Sequence, residues 1–381
     1  MKLEERTRDG FGGVKTMLLF FGMKDLTDGR DPLNPSGLAR AGFSGARNLY
    51  VEDEPVRVPS QYNAEKCEQS PLEFDGAKIA NSLTGRVWSV KLPEIDLMDA
   101  KIQYLLPTLT KTAGVMVFPG CVNFDIKTQC KFCTAGTTDG KLAAKPEEVV
   151  AEIKFVQERG LKVYSVSLNT GQMRDGGELA ALASCAKEIK RYDSSIEISA
   201  EVWPGSIPSD LCEFSGVIDS FQVNLELASD FARKKLCPAK PDRETYFRTF
   251  ETILKGGFGV SSVLQMNYYF NLEPLEGVAC AMGRMLDLGV VPELLVSRSV
   301  RGSKVDDGFF GRKTTLEENM GRFEEFLFRA ERLIDEFGGR LQKASEKIRA
   351  GCVKCGMCNL NRNLKNRTLA NFAGAIFPAD Y

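Results

Sequence analysis

Val115-Met116-Val117-Phe118 is followed, two residues on, by Cys121-Val122-Asn123-Phe124-Asp125-Ile126-Lys127-Thr128-Gln129-Cys130-Lys131-Phe132-Cys133. The apolar run reads as a buried strand, and the loop leaving it carries three cysteines. Three thiolates are one ligand short of a closed site. They can hold a 4Fe–4S cluster by three of its irons and leave the fourth open to another ligand. A second group, Cys352, Cys355 and Cys358, repeats the CxxCxxC run of bacterial ferredoxins with no fourth cysteine after it. Its fourth ligand would come from a distant cysteine such as Cys67, from an oxygen donor such as Ser299, from a substrate or from a partner chain. Zinc fits the same spacings, either as a ribbon joining Cys130/Cys133 to Cys355/Cys358 or as a knuckle at Cys352–Cys358. Cys185, Cys212, Cys237 and Cys280 stand alone among apolar neighbours and read as structural.

Working outward, strand and helix signals alternate from about residue 113 to 300, which gives an α/β class. Pro146-Glu147-Glu148 opens a helix with Val149, Ile153 and Val156 on one face, stopped at Gly160. Strands are expected at 163–168, 196–202, 218–225, 260–266 and 293–296, with helices at 179–189, 209–214, 230–236, 243–254 and 273–288. Six strands joined by crossover helices predict a parallel barrel or open sheet whose chemistry lies at the strand C-terminal ends. Cys121 follows such an end. Residues 1–112 read as an irregular extension rich in Gly, Pro and Asn, packed on a core at 113–312. Residues 313–381 bring one amphipathic helix, expected over 315–337, and the second cysteine group.

Composition removes several chemistries. The 381 residues include 50 Lys+Arg, 51 Asp+Glu and no histidine. Catalytic triads, non-haem iron triads and His-bearing zinc sites therefore have no imidazole to use. The balanced charge argues against a nucleic-acid partner. No run long enough to span a bilayer is present, and Thr16–Phe21 reads as core packing. A chain with CxxC spacing and no signal peptide at Met1 is expected in a reducing cytoplasm.

From 113 to about 360 the chain resembles the radical SAM superfamily, on the strength of Cys121, Cys130 and Cys133 with Phe132 before the last. The superfamily's usual signature is CxxxCxxC, and this chain instead places eight residues between the first two cysteines. It is most similar to the biotin-synthase-related branch, which includes radical SAM proteins of nitrilase gene clusters and subunits of the archaeal-type two-component lipoyl synthase; the match extends to Ala350-Gly351-Cys352-Val353-Lys354-Cys355-Gly356-Met357-Cys358. The resemblance implies a partial (β/α)6 TIM-like barrel, S-adenosylmethionine (SAM) on the open iron, and an auxiliary 4Fe–4S cluster at Cys352, Cys355 and Cys358. It places Phe132 against the adenine and Asn169-Thr170-Gly171, or Gly176-Gly177-Glu178, against the methionine amino group. Glu201, Asn224 and Glu226 fall at ribose or methionine positions, and Arg233 at the SAM carboxylate. The activity implied is hydrogen abstraction after reductive SAM cleavage. Sulfur insertion into an octanoyl chain, lipoyl-synthase-like, leads. Oxidation or rearrangement of a small molecule in a nitrilase-cluster pathway is the alternative, and a non-enzymatic two-cluster electron carrier is the reading from another class. Implied partners are reduced ferredoxin or flavodoxin, a second radical SAM subunit and an acyl-carrier protein.

Overall fold

The computed structural model describes residues 18–19, 21, 23–27, 33, 47–58, 67, 70–83, 85–95, 97, 102–124, 127–134, 143–173, 176–265, 273–295 and 316–360. Its strands are β1 (Lys24–Asp25), β2 (Arg47–Val51), β3 (Glu54–Val58), β4 (Leu72–Phe74), β5 (Lys78–Asn81), β6 (Val87–Lys91), β7 (Leu105–Pro107), β8 (Thr112–Phe118), β9 (Ser165–Thr170), β10 (Glu197–Glu201), β11 (Ser220–Gln222), β12 (Gly259–Gln265) and β13 (Val291–Leu295). Its helices are α1 (Pro146–Glu158), α2 (Glu178–Tyr192), α3 (Asp230–Leu236), α4 (Arg243–Lys255), α5 (Leu275–Leu288), α6 (Leu316–Ser345) and α7 (Gly351–Cys355).

β8 to β13 form one sheet in chain order, every neighbouring pair parallel, with β7 antiparallel on the β8 edge. The strand order never reverses, unlike a doubly wound sheet. Period-two alternation then sorts the two faces. Ala113, Val115 and Val117 of β8, Val166 and Leu168 of β9, and Ile198 and Ala200 of β10 join Ile153 of α1, Leu182 and Ile189 of α2 and Phe250 of α4 in one apolar core. The alternate positions are polar: Thr112, Ser167, Asn169, Ser199, Glu201, Gln222 and Glu293 are at most partly exposed. Helices cover the apolar face. The polar face lines a cavity.

Several of the crossover helices are signalled locally. Pro at the first turn and Glu147 and Glu148 favour the α1 N-terminus, Ser229 and Asp242 cap α3 and α4 by accepting from Ala232 and Thr245 N–H, and Gly289 closes α5 in the left-handed conformation. Three expectations need correction. The helix anticipated over 209–214 is only a 3₁₀ turn, Cys212–Phe214. The strand expected to run to residue 225 ends at Gln222, after which Glu226 makes an isolated bridge to Leu264. α6 continues past Phe337 and through Gly338-Gly339 to Ser345, because buried Phe337 and Leu341 hold it on the core.

The largest difference lies before residue 112. Instead of an irregular extension, β1 to β6 form a second sheet in the order β1-β4-β5-β6-β2-β3. The β2–β3 hairpin turns at Glu52-Asp53, with φ of 49° and 65° and Val51 opposite Glu54. That is the two-residue turn normally marked by Asn-Gly or Asp-Gly, so its usual cue is absent. The sheet shares the main apolar core through Leu49, Val51, Val56 and Val58, and Leu18, Leu19 and Phe21 pack there too. Met266, Val296 and Ser297–Arg301, including Ser299, lie outside the described residues. Among the described residues no helix is long and apolar enough to cross a membrane.

Candidate active site: two cysteine groups on one cavity

A cavity of about 300 Å³ opens on the polar face, and all six cysteines of the two groups line it. Cys121 starts the loop after β8. This loop is strapped to the turn after β9: Val122 N–H donates to Gln172 O at 2.9 Å, Gly171 N–H donates to Phe118 O at 3.1 Å, and the Asn123 and Gln172 amides bond each other. A Cβ on Gly171 would stand 1.8 Å from the Gly120 carbonyl oxygen and 3.0 Å from Cys121 Cβ, so only glycine permits this approach. The CxxC pair is pinned from the other side. Lys131 N–H donates to Leu236 O at 2.7 Å at the end of α3, and Gln129 Nε2 donates to Cys133 O at 3.0 Å. Cys130 and Phe132 pack on Leu227, Ala232, Leu236 and Cys237, while Cys121 and Cys133 pack on Met116. A hydrogen bond with the Cys237 thiol, helped against burial by the charge of Lys240, lowers the Cys130 pKa.

The second group enters the same cavity from the far end of the chain. Gly351 has φ 72°, and a Cβ there would lie 2.8 Å from Ser199 Oγ, so α7 docks backbone-first on β10. Thr110 Oγ1 donates to Cys355 Sγ at 3.3 Å. Asn359 Nδ2 donates to Cys352 O at 3.1 Å and to Glu293 at 3.3 Å. Leu360 N–H donates to Leu294 O at 2.9 Å, which seats residues 359–360 along the outer edge of β13. Burial, with Glu293 and the other two thiols nearby, raises the Cys352 pKa well above the ordinary thiol value.

Between the two groups runs a hydrogen-bonded network. Glu201 accepts from Asn169 Nδ2 at 2.6 Å and Asn224 Nδ2 at 2.8 Å. Glu226, at φ 63°, accepts from Lys240 Nζ at 2.9 Å and Gln265 Nε2 at 2.5 Å. Burial opposes the charge of Lys240, but Glu226 foremost holds its pKa well above the usual value. Burial first, then the charge of Glu226, pushes Glu201 up to about 7.

Of the residues singled out in the sequence, Phe132, Asn169, Thr170, Gly171, Glu201, Asn224 and Glu226 line the cavity with the six cysteines. Glu178 lines it too, but its carboxylate is occupied by Met173 N–H at 2.6 Å. Arg233 does not line it. It is 1% exposed, bonded to Asp230 and to Leu227 O, and lies over the Tyr246 ring. Cys67 is fully buried and also absent from the lining. Sequence reasoning missed Lys240, Arg57, Gln222 and Glu293. Lys240 sits between Pro238 and Pro241 in a loop with no periodicity, and the other three acquire meaning only when strands pair.

Among the described residues no three His, Cys, Asp or Glu side chains are grouped as ligands of a single ion. All three cysteines of each group line the cavity, and thiolate is the donor that iron–sulfur clusters use, so the donor chemistry at each group fits such a cluster.

The Glu201 shift has a measurable sign. A carboxyl raised from 4.5 to about 7 in the folded chain stabilises most while protonated, and that contribution is lost as pH rises from about 4.5 to about 7. Glu201→Gln is expected to shrink the fall in unfolding free energy of the cluster-free protein between pH 5 and 8, by on the order of 1–3 kcal/mol. Some fall will remain, since burial pushes Glu273 and Glu293 to about 7 as well. Equal slopes in variant and parent by denaturant titration would refute the assignment.

No model of a known protein family matches this chain, and no curated protein matches it in sequence. Among solved structures it is similar to methylornithine synthase (PylB), with 13% identity and a TM-score of 0.39 over 57% of this chain and 62% of that one. It is also similar to coproporphyrinogen III oxidase (HemN) from Escherichia coli, a radical SAM enzyme, with 13% identity and a TM-score of 0.37 over 58% of this chain and 52% of the other. The radical SAM methyltransferase TsrM from Kitasatospora setae aligns with 12% identity and a TM-score of 0.35, over 51% and 38% of the two chains. The chain spans less than two thirds of the length of each. At these scores no property passes from them to this chain.

Proposed function

We propose that this chain is a radical SAM enzyme built on a partial (β/α)6 barrel, with residues 113–312 as its core and 313–381 carrying an auxiliary cluster. One observation carries the reading: two three-cysteine groups, over 200 residues apart in sequence, line one cavity on the polar face of six parallel strands. Cys121, Cys130 and Cys133 would hold one 4Fe–4S cluster and Cys352, Cys355 and Cys358 the other. With SAM bound, the first would supply one-electron cleavage of the sulfonium and so a 5′-deoxyadenosyl radical able to take hydrogen from an unactivated carbon.

The chain's own residues orient and shield. Phe132 offers an apolar wall for the adenine, and Asn169, Glu201, Asn224 and Glu226 offer fixed donors and acceptors to the ribose and methionine. Lys240 is the cation we assign to the SAM carboxylate, in place of Arg233, because Lys240 lines the cavity and Arg233 does not. α7 and β3 border the cavity through Cys352, Cys355 and Arg57. For the reaction we favour sulfur insertion into an octanoyl chain, since the second group shares the cavity and has no fourth cysteine beside it. Ferredoxin or flavodoxin is the proposed electron source. An electron carrier has no need of an internal cavity, and titration with SAM separates the two: an open-iron cluster changes its EPR signal, and a carrier ignores SAM.

Anaerobic reconstitution is expected to yield about eight iron and eight sulfide per chain. The variant with Cys352, Cys355 and Cys358 all replaced by Ala should hold about four iron and still cleave SAM, but form no product. Full iron in that variant would remove the auxiliary cluster, zinc in the parent would replace it, and retained product would end the sulfur-donor role.

A further inference from the structure

We propose that Arg57 anchors a free carboxylate on the small molecule this chain acts on, an inference that rests on the cavity being the active site. Arg57 lies on β3, and its main-chain N–H donates to Met357 O at 3.4 Å, so the N-terminal sheet delivers it beside the second cysteine group. Arg57 is among the residues lining the cavity, it is 3% exposed, and its Nε and Nη2 are buried without a hydrogen-bond partner. Three of the cavity's carboxylates are engaged elsewhere, Glu226 by Lys240, Glu201 by two Asn amides and Glu178 by Met173 N–H, while Glu293 accepts from Asn359 through Oε2 and keeps Oε1 without a partner.

A guanidinium cannot discharge its proton, and a buried charge without a partner is strongly disfavoured. Its planar fork matches a carboxylate through two parallel N–H bonds. Val202, Trp203, Pro204, Val263, Leu295 and Met357 supply apolar lining to the same cavity. The ligand class is therefore a small aliphatic carboxylic acid, free and not tied to a carrier by an ester or amide. This narrows the octanoyl reading to the acid itself.

The test is binding of octanoate, with octanamide as its neutral isostere, to the reconstituted protein by calorimetry. Octanoate should bind at least tenfold more tightly than octanamide. Arg57→Met should abolish that preference, and Arg57→Lys should keep part of it, with iron content unchanged in both. Equal binding of acid and amide by the parent, or no binding of either, overturns the proposal while parental SAM cleavage leaves the enzyme assignment standing. Loss of about half the iron in both variants would also overturn it, because Arg57 would then serve the cluster's charge.

Discussion

Replacing Cys121, Cys130 or Cys133 singly by Ala is expected to reduce 5′-deoxyadenosine formation under dithionite to background, because a cluster held by two thiolates has two open irons. The structure makes Cys130 the informative case. Its thiol bonds that of Cys237, a buried cysteine outside the cavity lining, so Cys237 is at hand as a substitute ligand. Cys237→Ala should leave SAM cleavage intact. Should Cys130→Ala keep a SAM-responsive EPR signal and Cys237→Ala lose it, the ligand set is Cys121, Cys133 and Cys237.

Gly171→Ala should be nearly as damaging without touching a ligand. The added methyl group meets the Gly120 carbonyl oxygen at 1.8 Å, and backbone on both sides leaves no flexible side chain to yield. The cysteine loop must move off the β9 turn, taking Cys121 with it. The expected result is about four iron per chain, no SAM cleavage, and a second cluster unaffected. Gly176→Ala is the control. Gly176 has φ 67° but nothing within 4 Å of an added Cβ, so that variant should lose only about 1 kcal/mol of stability and no iron. Equal behaviour of the two variants would show that the Gly171–Gly120 approach does not position Cys121.

What could be read beforehand divides along range. The six parallel strands were legible because they are short apolar-rich runs, most of them separated by helices with readable termini, and Cys121 was found at a strand end for the same reason. The β2–β3 hairpin was not, since Glu52 and Asp53 adopt left-handed backbone without Asn or Gly to announce it. The spacing of Cys352, Cys355 and Cys358 showed a ligand group but not its position. That depends on Gly351 meeting Ser199 and on Asn359 meeting β13, contacts between segments far apart in the chain. The family resemblance put Arg233 at the SAM carboxylate, yet its fully buried guanidinium is held by Asp230 and Leu227, and Lys240, four residues past the helix end, is the one that lines the cavity.

The seating of α7 inside the polar face also orders events during synthesis. The six parallel strands and the Cys121 loop leave the ribosome before residues 351–360, so the first site exists for a time with one wall missing. Iron and sulfide can reach it then from the side that α7 later occupies. A chain lacking residues 346–381 should thus load its first cluster faster than the full-length chain, and lose it faster to air.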